Sequence, residues 1–318
     1  MKIFIEYDFT NESGKGKFIQ RLCREWDRTG VKYSDSPEGC DIRLCITRDR
    51  TKWKGKTVLR IDGAHQPLAC GKDYKSKRIM ASLKWKNKLT ASRIKKADAV
   101  IYQTEFCKKM GRKVFKAKNK NEHIIFNGAH PDEFNWNGEK EKLVIASAMW
   151  VGRPHKRLKE MIEIANNYCE IHDDVKFCFA GECEGEFKTH ENVFLPGHMN
   201  IPDLDSTIAK SACMLNLAYY DWCPNAVVEG LIGGLPVICS NGTGIEEIVR
   251  DSGIILKLDS HDSKTLKRAA KPPKIEYDPV YKALDRILYD NEKFEFPEHL
   301  HIKTVAKQYE EVFRGIVK

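Results

Sequence analysis

Short β-branched runs alternate with charged, helix-period segments along most of this chain, and that alternation restricts its fold more than any other feature. In the first half the runs are KIFIEY (2–7), DIRLCIT (41–47), TVLRID (57–62), DAVIYQT (98–104) and HIIFN (123–127). In the second half they are KLVIASA (142–148), VKFCFAG (175–181), NVFLPG (192–197), CMLNLAY (213–219), LPVICS (235–240) and GIILKL (253–258). Between them lie segments such as GKFIQRLCREW and RLKEMIEIANNY, the latter placing Leu158, Met161, Ile162 and Ala165 on one helical face. Strands that are apolar almost throughout are buried on both faces, which predicts parallel sheets covered by helices. Two such blocks predict an α/β chain of two doubly wound, Rossmann-like domains. The polar, charged stretch PDEFNWNGEKEK (131–142) marks the seam. This gives an N-terminal domain over 1–138 and a C-terminal domain over 139–301, with helical patterns around 280–291 and 302–317.

Composition narrows the class. The 318 residues suffice for two ordinary domains, and 42% hydrophobic with 31% charged content is globular rather than disordered. No run of 18 apolar residues offers a membrane span, and MKIFIEYDFT reads as a strand rather than a signal peptide. Eleven scattered cysteines read as free thiols in a reducing, cytoplasmic setting. The closest pairs, Cys40 with Cys45 and Cys178 with Cys183, lack a nearby His pair and make a poor zinc site. The net charge of +9 suits an anionic partner, and the densest basic stretch spans 72–96 with Tyr74 and Trp85 interleaved. It has two readings. One is a nucleic-acid groove; the other is a solvated helix face with Ile79, Leu83 and Leu89 turned inward. No nucleic-acid-binding signature supports the first, so the second is preferred, with at most weak peripheral contact with an anionic membrane.

The stretch YYDWCPNAVVEGLIGGLPVI (219–238) carries the chemistry. Pro224 suits the first turn of a helix that stops at Gly233-Gly234. Asn225 and Glu229, four apart, share a face of it, and Asp221 lies in the loop before it. Backbone N–H groups at such a helix start suit a phosphate, and carboxylates suit hydroxyls, a pairing that fits a nucleotide-sugar. Taken alone, the pair reads better as a helix cap at Asp221 and a solvated side chain at Glu229. Two further strand ends converge on the region, however. SAMWVGRPHKRLKEM (147–161) puts Arg153 and Lys156 before a helix, where two cations neutralise a diphosphate, and SNGTGIEEIVRDSG (240–253) opens another helix from small residues.

Residues 142–256 resemble the donor domain of the retaining, nucleotide-sugar-dependent glycosyltransferases of the group 1 type (family 4), which have the GT-B fold. The resemblance runs in order through SAMWVGRPHKRL, FAGE, VFLPGHMNIPDL and DWCPNAVVEGLIGGLPVICSNGTGIEEIVRDSG. It implies two Rossmann-like domains facing across a cleft. It also implies that Glu229 binds the ribose hydroxyls, with Asn225 and Ala226 beside it, and that Asp221 contacts the transferred sugar. Arg153 and Lys156 would hold the diphosphate, with Arg157 competing with Lys156 for the lysine-type role. His198 and Met199 would pass the base, and Gly244 and Glu247 would belong to the donor loop. The family motif has two glutamates; here the first is Asp221, one methylene shorter, which puts sugar selectivity in question.

The N-terminal half resembles the family less specifically. NESGKGKF (11–18), with Gly16, fits the family's Gly-bearing loop after the first strand and lacks the spacing of a Walker loop. IIFNGAH keeps Asn127 and Gly128 in type, with His130 at an aspartate position. RIDGAHQP offers His65, beside Asp62, as the family's active-site histidine. By family analogy the last helix, within 302–318, returns to pack on the N-terminal domain. The implied reaction moves a sugar from a nucleotide-diphosphate sugar to a glycan, lipid-linked or protein-linked acceptor hydroxyl, with retention and with domain closure. No cofactor and no metal are required if the cations supply the charge. Asp203-Leu204-Asp205 reads as first-turn acids of a helix rather than a metal site. A sugar-nucleotide epimerase or phosphorylase of the same fold and a non-catalytic nucleotide-sugar or nucleic-acid binding protein remain as alternatives.

Overall fold

A computed structural model describes residues 1–7, 13–46, 51–64, 76–134, 139–147, 153–183, 186–262 and 264–317. These fall into two compact units. One comprises the described residues up to His130 together with 298–317; the other comprises those of 131–297.

The first unit is a six-stranded parallel sheet in the order β2-β1-β3-β4-β5-β6. Its strands are β1 (Lys2–Glu6), β2 (Lys32–Ser34), β3 (Ile42–Ile46), β4 (Lys56–Ile61), β5 (Ala99–Tyr102) and β6 (Glu122–Ile124). All five residues of β3 and all four of β5 are buried, as strands covered on both faces require. The sequence pattern does not reveal β2. It is a three-residue polar edge strand, held by parallel pairing of Lys2–Phe4 with Lys32–Ser34 rather than by burial.

Helix α1 (Gly14–Thr29) starts at Ser13, whose Oγ accepts from Gly16 N at 3.4 Å, and ends at Gly30 with φ 76°. The segment read as a glycine loop is therefore helical from Gly14 onward, and Gly16 sits buried in its first turn. The unit also contains α2 (Lys77–Lys96) and α3 (Glu105–Phe115). Its last helix, α10 (Ile302–Val317), lies against α1: Phe313 is 6.0 Å from Trp26 and Tyr309 is 6.0 Å from Phe18, ring centre to ring centre. Asn127-Gly128-Ala129 forms the seat of α10. Ala129 N donates to Leu300 O at 3.1 Å, and Ile302 N donates to Ala129 O at 2.9 Å.

The second unit is also a six-stranded parallel sheet, in the order β12-β11-β10-β7-β8-β9. Its strands are β7 (Leu143–Ser147), β8 (Lys176–Ala180), β9 (Val193–Gly197), β10 (Cys213–Asn216), β11 (Val237–Ser240) and β12 (Gly253–Leu256). Helices α4 (Leu158–Cys169), α5 (Ile201–Lys210), α6 (Asn225–Ile232), α7 (Gly244–Val249), α8 (Thr265–Arg268) and α9 (Asp278–Leu288) belong to it. The periodicity of α4 is realised: Met161, Ile162 and Ala165 are buried, joined by Ile164 and Tyr168, in one core with Phe177, Phe179 and Leu215. Each unit thus has its own hydrophobic core.

Among the described residues no helix is long and apolar enough to cross a membrane. The ten described cysteines are all free, and burial pushes the thiols of Cys23 and Cys213 up to about 12.

The seat of α10 is tight. A Cβ at Gly128 would stand 2.9 Å from Val305 Cγ2 and 3.1 Å from both Ile302 Cα and Leu300 O. Two of those neighbours are backbone and cannot rotate away. Gly128→Ala is therefore expected to destabilise the chain by about 1–3 kcal/mol, the usual range for overpacking. Urea unfolding checks this, and a midpoint equal to that of the parent would show that the seat has slack.

Candidate active site

In the second sheet the chain steps from β7 outward through β8 to β9. It then returns to the other side of β7 as β10 and continues through β11 to β12. β7 and β10 flank the switch point, where loops leaving adjacent parallel strands part and open a crevice at the strands' carboxyl ends. The segment after β7 reaches that edge at Arg153 and forms a 3-10 turn, Pro154–Lys156; the segment after β10 reaches it at Asp221.

There Lys156 Nζ forms an ion pair with Asp221 Oδ2, with side-chain exposures of 11% and 13%. The other carboxylate oxygen, Oδ1, accepts from Trp222 N at 2.7 Å. Backbone bonds join this loop to its neighbours: Tyr219 N donates to His155 O at 2.8 Å, and Gly244 N donates to Asp221 O at 3.0 Å. Tyr219 O contacts His261 Nε2 at 2.9 Å, and the two rings stack at 4.9 Å. Segments leaving β7, β10, β11 and β12 are thereby tied into one rim. Gly242, at φ 73°, lies against the His261 ring, which a Cβ there would overlap.

Lys156 and Arg157 are adjacent in sequence and separate in space. Arg157 adopts φ 55°, a left-handed conformation that ends the 3-10 turn and begins α4, so the two side chains part. The Arg157 guanidinium is fully buried and grips Asp259 bidentately, Nη1 to Oδ2 at 2.7 Å and Nη2 to Oδ1 at 2.6 Å. It also donates to Leu217 O at 3.3 Å and Pro273 O at 3.0 Å. The donor-binding role considered for Arg157 is set beside this burial: the guanidinium faces the core, whereas Lys156 reaches the rim. With no exposed surface and both Nη groups engaged by Asp259 and two carbonyls, Arg157 supports the rim.

The other candidates separate by element. Asn225 and Ala226 open α6, and Glu229 follows one turn later, all partly exposed. Pro224 stands just before the helix, not in its first turn, and no side chain caps it. Arg153 is partly exposed just before the 3-10 turn. His198 is exposed and Met199 half-buried in the turn after β9, two strands from β7 and so about 10 Å across the sheet. Gly244 is buried, with its amide engaged by Asp221 O, and Glu247 is half-buried on α7. Gly16 belongs to the first unit, and His65 lies outside the described residues.

Sequence reasoning left out His155, Tyr219, Asp259 and His261. His155 is 4% exposed, and its Nδ1 has no hydrogen-bond partner among the described residues. Its ring meets Tyr220 edge-on at 6.2 Å. Burial, then the charges of Lys156 and Arg153, push its pKa down to about 4 against the opposing pull of Asp221. The available signal for Asp259 and His261 was position alone, just beyond the carboxyl end of a strand.

At the carboxyl edge of the first sheet a second polar cluster forms. Arg60 pairs with Asp62 and donates to Asn127 Oδ1, and Gln103 Nε2 lies 3.1 Å from both Asp62 Oδ1 and Asn127 Oδ1. The Arg60 guanidinium lies 4.1 Å from the centre of the Phe18 ring. Asp62, 2% exposed, is enclosed within this cluster. Asp203 takes part in helix capping, its N donating to Asn200 Oδ1 at 2.9 Å, in the first turn of α5. Among the described residues no three His, Cys, Asp or Glu side chains come together as a metal-holding group.

Residues 141–271 match the family model of the glycosyl transferases, group 1. Solved structures give the same fold. A sucrose-phosphate synthase from Thermosynechococcus elongatus aligns with TM-score 0.62 and 13% identity, over 99% of this chain and 98% of that one. AviGT4, a glycosyltransferase involved in avilamycin A biosynthesis, aligns with TM-score 0.59 and 12% identity, over 99% and 97%. TarM aligns with TM-score 0.56 and 18% identity over 87% of this chain, which spans 54% of the length of TarM. No curated protein sequence gives a significant match. Residues 141–271, within the second unit, are therefore similar to the group 1 glycosyl transferases, and the two parallel sheets are those of the GT-B fold.

Asp259→Asn is expected to cost about 3–5 kcal/mol in urea unfolding, because it weakens a buried ion pair from one side. Lys156→Ala, which opens a pair with access to solvent, is expected to cost clearly less; equal losses would contradict the separation of the two cations. The rim also confers a pH dependence. His155 has a folded pKa below its unfolded value, so the unfolded chain binds the proton more readily between about 6.5 and 4. Stability from this group is present above that window and is lost as pH falls through it, by about 3 kcal/mol in full. His155→Gln should flatten the stability profile between pH 7 and about 4 relative to the parent; parallel profiles would remove His155 as its source.

Proposed function

We propose that this chain, through its group 1 glycosyltransferase region, transfers a sugar from a nucleotide-diphosphate sugar to an acceptor hydroxyl with retention and without a metal ion. The observation that carries this reading is the Lys156–Asp221 pair at the switch point of the second sheet. A cation and a carboxylate held together but within reach of solvent are matched to the two halves of such a donor. The diphosphate, carrying more charge than one carboxylate, takes Lys156, and Asp221 is released to accept from sugar hydroxyls. Glu229, on the same face of α6 as Asn225, is assigned to the ribose hydroxyls.

Cleavage of the sugar–phosphate bond leaves positive charge on the sugar and negative charge on the departing diphosphate. Lys156, Arg153 and the N–H groups opening α6 are the groups that meet the second charge, and fixed groups of this kind supply a large part of a barrier reduction. The neutral, buried His155 adjoins this site without adding a competing positive charge at neutral pH. Asp221 stands where the family motif has a glutamate, and its shorter arm is assigned a part in sugar choice. UDP-sugars are the first donors to test, since the structure of HepE from Anabaena contains UDP-glucose and that of pneumococcal GtfA contains UDP and GlcNAc.

The test is donor turnover, with release of nucleoside diphosphate followed across a panel of nucleotide-sugars in the presence of EDTA. Activity is expected with at least one donor, and Lys156→Ala is expected to lower kcat by about 100-fold or more while weakening donor binding less. Loss confined to donor binding would assign Lys156 to ground-state attraction. Loss of all turnover under EDTA, restored by magnesium or manganese, would replace the metal-free mechanism.

A further inference from the structure

Helix α2 contains twenty residues, of which eight are Lys or Arg and none is Asp or Glu. This one helix therefore carries nearly the whole of the chain's net charge of +9. Its attachment to the fold is narrow. Only Leu83, Thr90 and Ile94 are buried, at spacings of seven and four that define a single inward stripe, and α3 is the helix it packs on. Ile79, expected to turn inward, is instead 36% exposed, because that stripe lies farther along the helix. Lys72 and Lys75, from the same basic stretch of sequence, lie outside the described residues.

At 100° per residue, the face opposite the stripe is led by Trp85, with Ala81 and Ser92 beside it. Lys77, Arg78, Lys84, Lys88, Lys95 and Lys96 surround that line, and all are exposed. Trp85 is 61% exposed, the largest apolar side chain the described surface leaves in water to that degree. Six cations around one outward tryptophan on a convex helix form an unusual solvated face.

We propose that α2 is a docking surface for an anionic phospholipid bilayer, lying parallel to the membrane with Trp85 at the headgroup level. Charge complementarity supplies the attraction, each basic residue near an anionic leaflet contributing about a five-fold gain in partitioning. The indole supplies the anchor, since tryptophan favours the membrane–water boundary. The shape selects the partner. A single-stranded nucleic acid uses a groove with successive aromatic platforms, whereas α2 offers one aromatic ring on a convex surface, which fits a plane. With one large apolar contact, attachment is peripheral, electrostatic and reversible.

The proposal concerns a surface independent of the proposed reaction, and its test uses neither donor nor acceptor. The full chain is sedimented with phosphatidylcholine vesicles, with and without phosphatidylglycerol, at low ionic strength and at about 0.15 M salt, where the Debye length falls to about 8 Å. Binding is expected on the phosphatidylglycerol vesicles only, weakened at the higher salt. A triple variant, Lys84→Gln with Lys88→Gln and Lys95→Gln, should bind about 100-fold more weakly. Trp85→Ala should bind more weakly while keeping the salt dependence. Both are surface changes, and an unchanged thermal midpoint confirms that the fold is intact. No sedimentation at low salt, equal sedimentation with pure phosphatidylcholine, or parental binding by the triple variant would overturn the proposal. Preferential binding to a polyuridylate RNA in competition with the vesicles would overturn it in favour of a nucleic-acid surface.

Discussion

Arg157 and Asp259 form the contact on which the proposed donor site rests. The guanidinium begins α4, closes on a carboxylate just beyond β12, and reaches carbonyls of Leu217 and Pro273. Four separate stretches of chain are thereby fixed at the carboxyl edge of one sheet. The geometry follows from a single left-handed residue. At φ 55° the chain turns so that Arg157 goes into the core while Lys156 meets Asp221 at the rim. Only a planar, permanently charged fork can satisfy a bidentate carboxylate and two carbonyls together, so lysine would not replace it. Burying such a pair adds little net stability; what it provides is a defined arrangement, because any other would strand a charge.

The first unit uses the same device. Arg60 and Asp62, both nearly inaccessible, tie the end of β4 to Gln103 after β5 and Asn127 after β6. In both sheets a buried arginine–aspartate pair anchors loops at the carboxyl edge, the edge where parallel sheets place their ligands. Loops are otherwise the least constrained parts of such folds. Here the rim of the second sheet is cross-linked by side chain and backbone alike, and the partly accessible Lys156 and Asp221 sit on a rigid frame.

Much of this was legible in the sequence, for identifiable reasons. Strands such as β3, β5 and β10 are buried from end to end, so their apolar runs announce them; β2 is a polar edge strand and leaves no such trace. The convergence of Lys156 and Asp221 could be anticipated because each lies just past a strand that alternation had already located. The division of labour between Lys156 and Arg157 could not, since it depends on one backbone dihedral and on Asp259, about a hundred residues away in sequence. An arginine inside the apolar run of β4 was a usable sign of a buried pair. His155 carried no comparable sign, because its low pKa arises from burial and from neighbours assembled only by the fold. Ile79 shows the limit of helical periodicity: it lies four residues before Leu83, on the same side of α2 as the buried stripe, yet it is exposed because the stripe begins only at Leu83.

The placement of α10 also orders events in time. Residues 131–297, which form the second unit, are synthesised between the first sheet and the helix that covers it. Trp26 and Phe18 on α1 find Phe313 and Tyr309 only after that whole unit has been made. In a growing chain the residues of the second core are therefore all made before the helix that covers the first. An amino-to-carboxyl order of domain maturation cannot finish the first domain first, because the sheet made earliest receives its cover from the helix made last.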